Sequence, residues 1–198
     1  MSGHSVERQP PLIESGVFAV SGSSLIDAPK EKIWDIMMNF PEYGQWNTFV
    51  RKITLSPPYP EPYTVSSPPT KPVLDAHLSI IVRMPPGLSN PTFFTKGTAF
   101  VRICALDEAN FRVAWETPSF PKWLLHAERW QWLEEVEIEV PVEGEGASAT
   151  RKKKMVRYRN QEVFNGFAAY FVKLFVGSKL KEGFQAAADT LKTRAENK

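Results

Sequence analysis

The stretch LIDAPKEKIWDIMMNFPEYGQWN, residues 25–47, decides the fold. It carries the end of a β-rich run, residues 17–26, into a helix and then into a tight reversal. Pro29 has its φ preset for a first helical turn and gives up only an N–H that would be orphaned there. Ile33, Trp34, Met37 and Met38 then share one apolar face, so a helix is expected over residues 29–39. Pro41 breaks it, and residues 40–47 leave room for one or two further turns, read as a short second helix. A first strand followed by two short helices is the resulting start.

Outward from this point the period changes. A strand is expected over residues 49–55, and residues 56–72 hold seven of the 17 prolines, which cannot supply ladder N–H groups and so predict an extended loop. Leu74, Ala76, Leu78, Ile80 and Val82 alternate with Asp75, His77, Ser79, Ile81 and Arg83, a strand with one buried face. Further strands are expected over 94–106, 111–117, 124–140 and 151–163, with turns at residues 107–110 and at Glu143-Gly144-Glu145-Gly146. Short turns between successive strands make an antiparallel meander. Phe167, Phe171, Leu174, Leu180, Phe184, Ala187 and Leu191 then keep a helical spacing, giving an amphipathic helix over about 166–195. Gly177 and Gly183 each cost about 1 kcal/mol relative to Ala, and a bend is expected there. The class is α+β, a curved sheet of about seven strands closed by one long C-terminal helix. Large aromatics at the rim can prop those layers apart, so an internal pocket is expected.

Composition bounds the function. The 198 residues are 42% hydrophobic, with 24 Lys+Arg against 22 Asp+Glu, enough for one core and too balanced for sequence-independent nucleic-acid binding. A frayed tail is expected over residues 1–15 and a single ligand-binding domain over 16–198. One cysteine, Cys104, excludes an intramolecular disulfide and fits a reducing compartment, so a cytoplasmic location is expected. The most apolar run, residues 167–176, is too short to span a bilayer. Membrane contact is compatible with this composition but not required by it, and the oligomeric state is left open.

Two end motifs carry a resemblance. Leu25-Ile26-Asp27-Ala28-Pro29 with Ile33-Trp34-Asp35 and residues 40–47 resembles the opening signature of the START-like, polyketide cyclase superfamily (SRPBCC). Tyr158, Glu162, Phe164 and Gly166, then Leu180, Gly183-Phe184, Ala188, Leu191-Lys192 and Glu196, resemble its last strand and terminal helix. The proline-rich residues 56–72 and the glutamate-rich hairpin near 134–151 depart from the usual pattern. The resemblance implies a helix-grip fold holding an apolar ligand between sheet and helix, as in lipid, sterol and quinone carriers, aromatic polyketide cyclases and plant hormone receptors. Fold alone does not choose among these.

Candidate chemistry is sparse. No nucleotide, phosphate-loop or hydrolase motif is present, and His4, His77 and His126 do not make a metal site by spacing, so neither cofactor nor metal is expected. Cys104 reads as a small hydrophobe rather than a nucleophile. On the strand 124–140, one phase carries Leu125, Ala127, Arg129, Gln131 and Leu133, and the other His126, Glu128, Trp130 and Trp132. Either phase sets polar atoms against an apolar layer. His126, Glu128, Arg129 and Tyr158 are the candidate acid/base groups. Trp46, Phe100, Trp115, Phe171 and Phe184 are the expected apolar wall, with Gln131 beside them. The resemblance turns the phase of Val156, Tyr158, Asn160 and Glu162 inward, with Tyr158 and Asn160 as hydrogen bonders to the ligand, and it gives Glu162 a structural role near the helix start; Glu116 is a weaker candidate. Arg151-Lys152-Lys153-Lys154 faces six upstream glutamates and is read as cross-strand neutralisation rather than a nucleic-acid or membrane patch. Three readings follow: a binder of a hydrophobic, polyketide-, isoprenoid- or lipid-like molecule; a cyclase or dehydratase of secondary metabolism using the same cavity; or an interaction module with a filled core.

Overall fold

The computed structural model describes residues 8–141 and 150–197. Strand β1 (Phe18–Ile26) leads at Pro29 into α1 (Lys30–Met38), then through a 3-10 turn at Phe40–Glu42 into α2 (Tyr43–Trp46). Strands β2 (Val50–Ser56), β3 (His77–Arg83), β4 (Lys96–Asp107), β5 (Arg112–Glu116), β6 (His126–Pro141) and β7 (Thr150–Asn165) follow, and α3 (Ala169–Glu196) closes the chain. All seven strands form one antiparallel sheet in the order β1-β7-β6-β5-β4-β3-β2, so β1 forms one edge and the meander starts at the other edge with β2 and ends with β7 beside β1.

The expected elements are present, with small shifts at their ends. The proline-rich residues form an irregular loop, tied back where a ring nitrogen of His77 meets Pro58 O at 2.9 Å. The Glu143–Gly146 turn lies outside the described residues. The glutamate and lysine strands do neutralise each other: Glu137 pairs in register with Lys154 and Glu139 with Lys152. Lys153 bridges to Asp27, and Arg159 to Glu134 at 3.2 Å. Among the described residues no helix is long and apolar enough to cross a membrane.

Residues 1–7 lie outside the description, but residues 8–15, expected to be frayed, run along the sheet. Arg8 reaches Glu116 at 2.9 Å and Glu128 at 3.3 Å, and Gln161 donates to Pro11 O at 2.7 Å. These contacts fall on the sheet face opposite α3.

Helix α3 packs on β1 and β7 through its second half, where Phe184, Ala187, Ala188, Leu191 and Ala195 are buried. Its glycines serve close approach. A Cβ on Gly183 would fall 2.4 Å from the Phe49 ring, and one on Gly22 of β1 would fall 2.3 Å from Phe184 O. The first half differs from the sequence expectation: Phe171 and Leu174, on the apolar stripe, are exposed, as are Tyr170 and Phe175. The covered side of this half runs instead through Ala169 and Gly177, both buried, with Val172 and Leu180 packed against the core.

Candidate functional site

Where the layers separate they enclose a cavity of about 410 Å³. Its wall is made by inward phases of the strands: Ile80 and Val82 of β3, Val101 of β4, Trp115 of β5, Ala127 and Arg129 of β6, and Glu162 and Phe164 of β7. Leu180 and Phe184 supply the helix side, and Phe120 and Leu125 border it from the β5–β6 connection. Alternation explains this set, because in each strand every second residue faces the same layer.

Two ionisable groups stand in this apolar wall, and the register places them side by side: Arg129 of β6 pairs directly with Glu162 of β7. Arg129 is only 5% exposed. Its guanidinium carbon lies 4.2 Å from the centre of the Phe184 ring and 5.5 Å from that of Trp115, positions that favour a cation over a ring face. Nη2 donates to Asn160 Oδ1 at 3.4 Å, and Nε, also buried, has no partner. Burial pushes the Glu162 carboxyl up to about 7, against a smaller lowering by the Arg129 charge. The cavity thus holds a cation short of hydrogen bonds and a carboxyl able to exchange a proton near neutrality.

Glu162 is the residue that sequence reasoning undervalued. Tyr158, Asn160, Glu162 and Phe164 occupy one phase, and the resemblance turns Glu162 inward with the first two yet gives it only a structural role.

The remaining candidates separate by phase. Trp115, Arg129 and Phe184 line the cavity. Phe100, 60% exposed, borders it from the opposite phase of β4. Tyr158, Gln131 and Asn160 face inward and bond to one another and to the helix, while Gln131 Nε2, also buried, has no partner. Tyr158 Oη donates to Gln131 Oε1 at 2.6 Å and Asn160 Nδ2 to Phe184 O at 3.2 Å. Burial pushes the Tyr158 hydroxyl up to about 12, which removes it from acid/base work near neutrality. Trp46 packs against Tyr43, ring centres 4.9 Å apart, away from the cavity. Phe171 stands half exposed between Phe167 and Phe175.

His126 and Glu128 lie one residue out of phase with Ala127 and Arg129, and the structure does not bring them to the cavity. They sit with Glu116 on the outer face, where three metal-capable atoms come within 4.8 Å of one another. Cations already hold that cluster: Arg8 bridges both carboxylates and Arg102 joins Glu116 to Asp75. Desolvation would raise the Glu116 carboxyl, but the hydrogen bonds from Arg102 and Arg8 outweigh it and hold it below its ordinary range. Cys104, partly buried, has its thiol pushed up to about 12 by burial, an inert state.

No family model matches the chain. It is 26% identical over 190 residues to the oxopyrrolidines biosynthesis cluster protein O of Penicillium oxalicum, an alignment covering 92% of this chain and 89% of that protein. Among solved structures, a hypothetical protein of Helicobacter pylori superposes with a TM-score of 0.59 at 13% identity, covering 98% of this chain and 99% of the other. The di-domain ARO/CYC protein BexL of the BE-7585A biosynthetic pathway superposes with a TM-score of 0.52 at 14% identity, covering 91% of this chain and 50% of that one. With its seven-stranded curled sheet, paired short helices and long terminal helix, the chain has the START-like helix-grip fold.

Proposed function

We propose that the chain binds a hydrophobic small molecule in the cavity between the sheet and α3. The observation that carries this reading is the cavity itself: about 410 Å³ of space lined mainly by aliphatic and aromatic side chains, with one cation and one carboxyl in its wall. A small number of polar groups in an apolar concavity is the usual composition of a small-molecule site. A filled core, which an interaction module would show, is not what these layers build. The relative named for a biosynthesis cluster and the fold shared with an ARO/CYC protein support a guest from natural-product chemistry, of polyketide or similar character.

The test is a titration with the neutral fluorescent probe N-phenyl-1-naphthylamine. Saturable binding is expected, weakened about 10-fold or more by Ala99→Phe, which projects a ring into the cavity. Absence of saturable binding, or equal affinity in the variant, overturns the reading.

A second reading, acid/base chemistry in the same cavity, draws on Glu162. Its carboxylate can take a proton from the carbon next to a guest carbonyl while Arg129 stabilises the enolate oxygen, the first step of an aldol cyclisation. His126 and Glu128 have no part in this version. Wild-type protein is then expected to speed deuterium exchange into the methyl group of 2-acetylnaphthalene, and Glu162→Gln to lose roughly 100-fold of that acceleration. No acceleration by the wild type leaves a binder only.

A further inference from the structure

The buried guanidinium of Arg129 limits what the cavity can hold. This inference rests on the cavity reading above. Among the described residues no carboxylate comes within 4.0 Å of Arg129, its Nε lacks a partner, and its Nη2 bond to Asn160 is long at 3.4 Å. A charge so deeply buried without a counter-ion is held at a cost of several kcal/mol. Glu162, the register neighbour, is a poor counter-ion: burial keeps its carboxyl partly protonated near neutrality, and the guanidinium lies over the Phe184 and Trp115 rings instead.

An arginine in this state presents a rigid fork whose geometry matches two oxygens in one plane. The rings of Phe184 and Trp115, over which the guanidinium lies, hold that fork in place, and Phe100, Phe120 and Phe164 supply ring surface elsewhere in the wall for a flat conjugated body. Ile80, Val82, Val101 and Leu180 add aliphatic surface, and the other polar lining residues, Thr98, Thr117 and Ser119, are uncharged.

We propose that the guest of this cavity carries a planar oxyanion, a carboxylate or the enolate of a 1,3-dicarbonyl, joined to a flat apolar body, and that Arg129 is the residue that selects it. The charge on the guest supplies the counter-ion that the fold omits. Glu162 in its protonated form adds a donor beside it.

The experiment is competition against N-phenyl-1-naphthylamine on the full chain at pH 6. The competitors are naphthalene-2-carboxylate and its neutral counterpart naphthalene-2-carboxamide. Because hydrogen bonds between charged groups are the strong ones, the carboxylate is expected to displace the probe at a concentration at least about 10-fold lower. Arg129→Met is expected to bring the two competitors together, and Arg129→Lys to retain much of the preference. The ratio is internal to each variant, so a general loss of affinity does not imitate the result. A second pair, 2-acetylcyclohexane-1,3-dione against 2-acetylcyclohexanone, distinguishes enolate from carboxylate recognition. If the wild type binds the naphthalene pair equally and the cyclohexane pair equally, or if Arg129→Met keeps the preference, the proposal is overturned while the cavity reading stands. If the wild type binds neither probe nor competitor, the cavity reading itself fails and takes this one with it.

Discussion

The two halves of α3 share one helix and one sequence period but have opposite fates. From Gly183 onward the inward positions are Gly183, Phe184, Ala187, Ala188, Leu191 and Ala195, four of the six small, and all are buried. Before that point the same stripe carries Phe171 and Leu174, with Tyr170 and Phe175 nearby, all exposed. Small residues let the backbone approach β1 until Phe184 O faces Gly22 directly, whereas in the first half only Ala169 and Gly177 are buried and the bulky side chains point away. The cavity meets the helix at the boundary between the two stretches, through Leu180 and Phe184.

The largest effect is expected at the tight end. Leu191→Ala removes a buried side chain and should cost about 3 kcal/mol in urea unfolding, as large-to-small core changes do. A cost near zero would mean that the second half is not packed as described. Gly22→Val comes next. Its Cβ would fall within van der Waals radii of the Phe184 backbone, so overpacking should cost about 2 kcal/mol and, by lifting the helix, change the affinity for N-phenyl-1-naphthylamine.

A subtler contrast lies in pH. The Glu162 carboxyl titrates at about 7 in the folded protein, against an ordinary value of 4.5, so between those limits the folded state holds a proton that the unfolded state has released. Stability from this group is full below pH 4.5 and is lost as pH rises towards 7, an effect of order 2 kcal/mol or more. Glu162→Gln should flatten that slope and be the more stable protein at pH 8; unfolding midpoints at pH 5 and pH 8 decide it. The smallest effect belongs to the open half: Leu174→Ala should change stability by no more than about 0.5 kcal/mol, since the side chain is already in water. A cost equal to that of Leu191→Ala would erase the distinction between the halves.

Most of this architecture could be read from local signals. Pro29 and Pro41 punctuate the two short helices, and period-two alternation marks β3 onward, because both follow from backbone chemistry that each segment carries alone. The site was harder. Arg129 could be singled out on its strand, but the phases 125-127-129 and 126-128-130 looked equally able to face inward. A shift of one residue moves every side chain to the other face, and long-range pairing with β7 decides which face that is. The same pairing sets Glu162 beside Arg129. The exposure of Phe171 and Leu174 was unreadable for a related reason: an apolar stripe shows which side of a helix could be covered, and packing chose the side of Ala169 and Gly177 instead. Arg8 was hidden too, since its partners Glu116 and Glu128 lie 108 and 120 residues away.

The contact between Gly22 and Phe184 has a mechanical consequence. The opposite end of α3 is tied as well, because Phe167 and Ala168 donate to the carbonyls of Trp123 and Leu124 and Ala169 is fully buried. A beam held at both ends yields most in mid-span, so the displacement forced by a bulky occupant falls between those two anchors and leaves each in place.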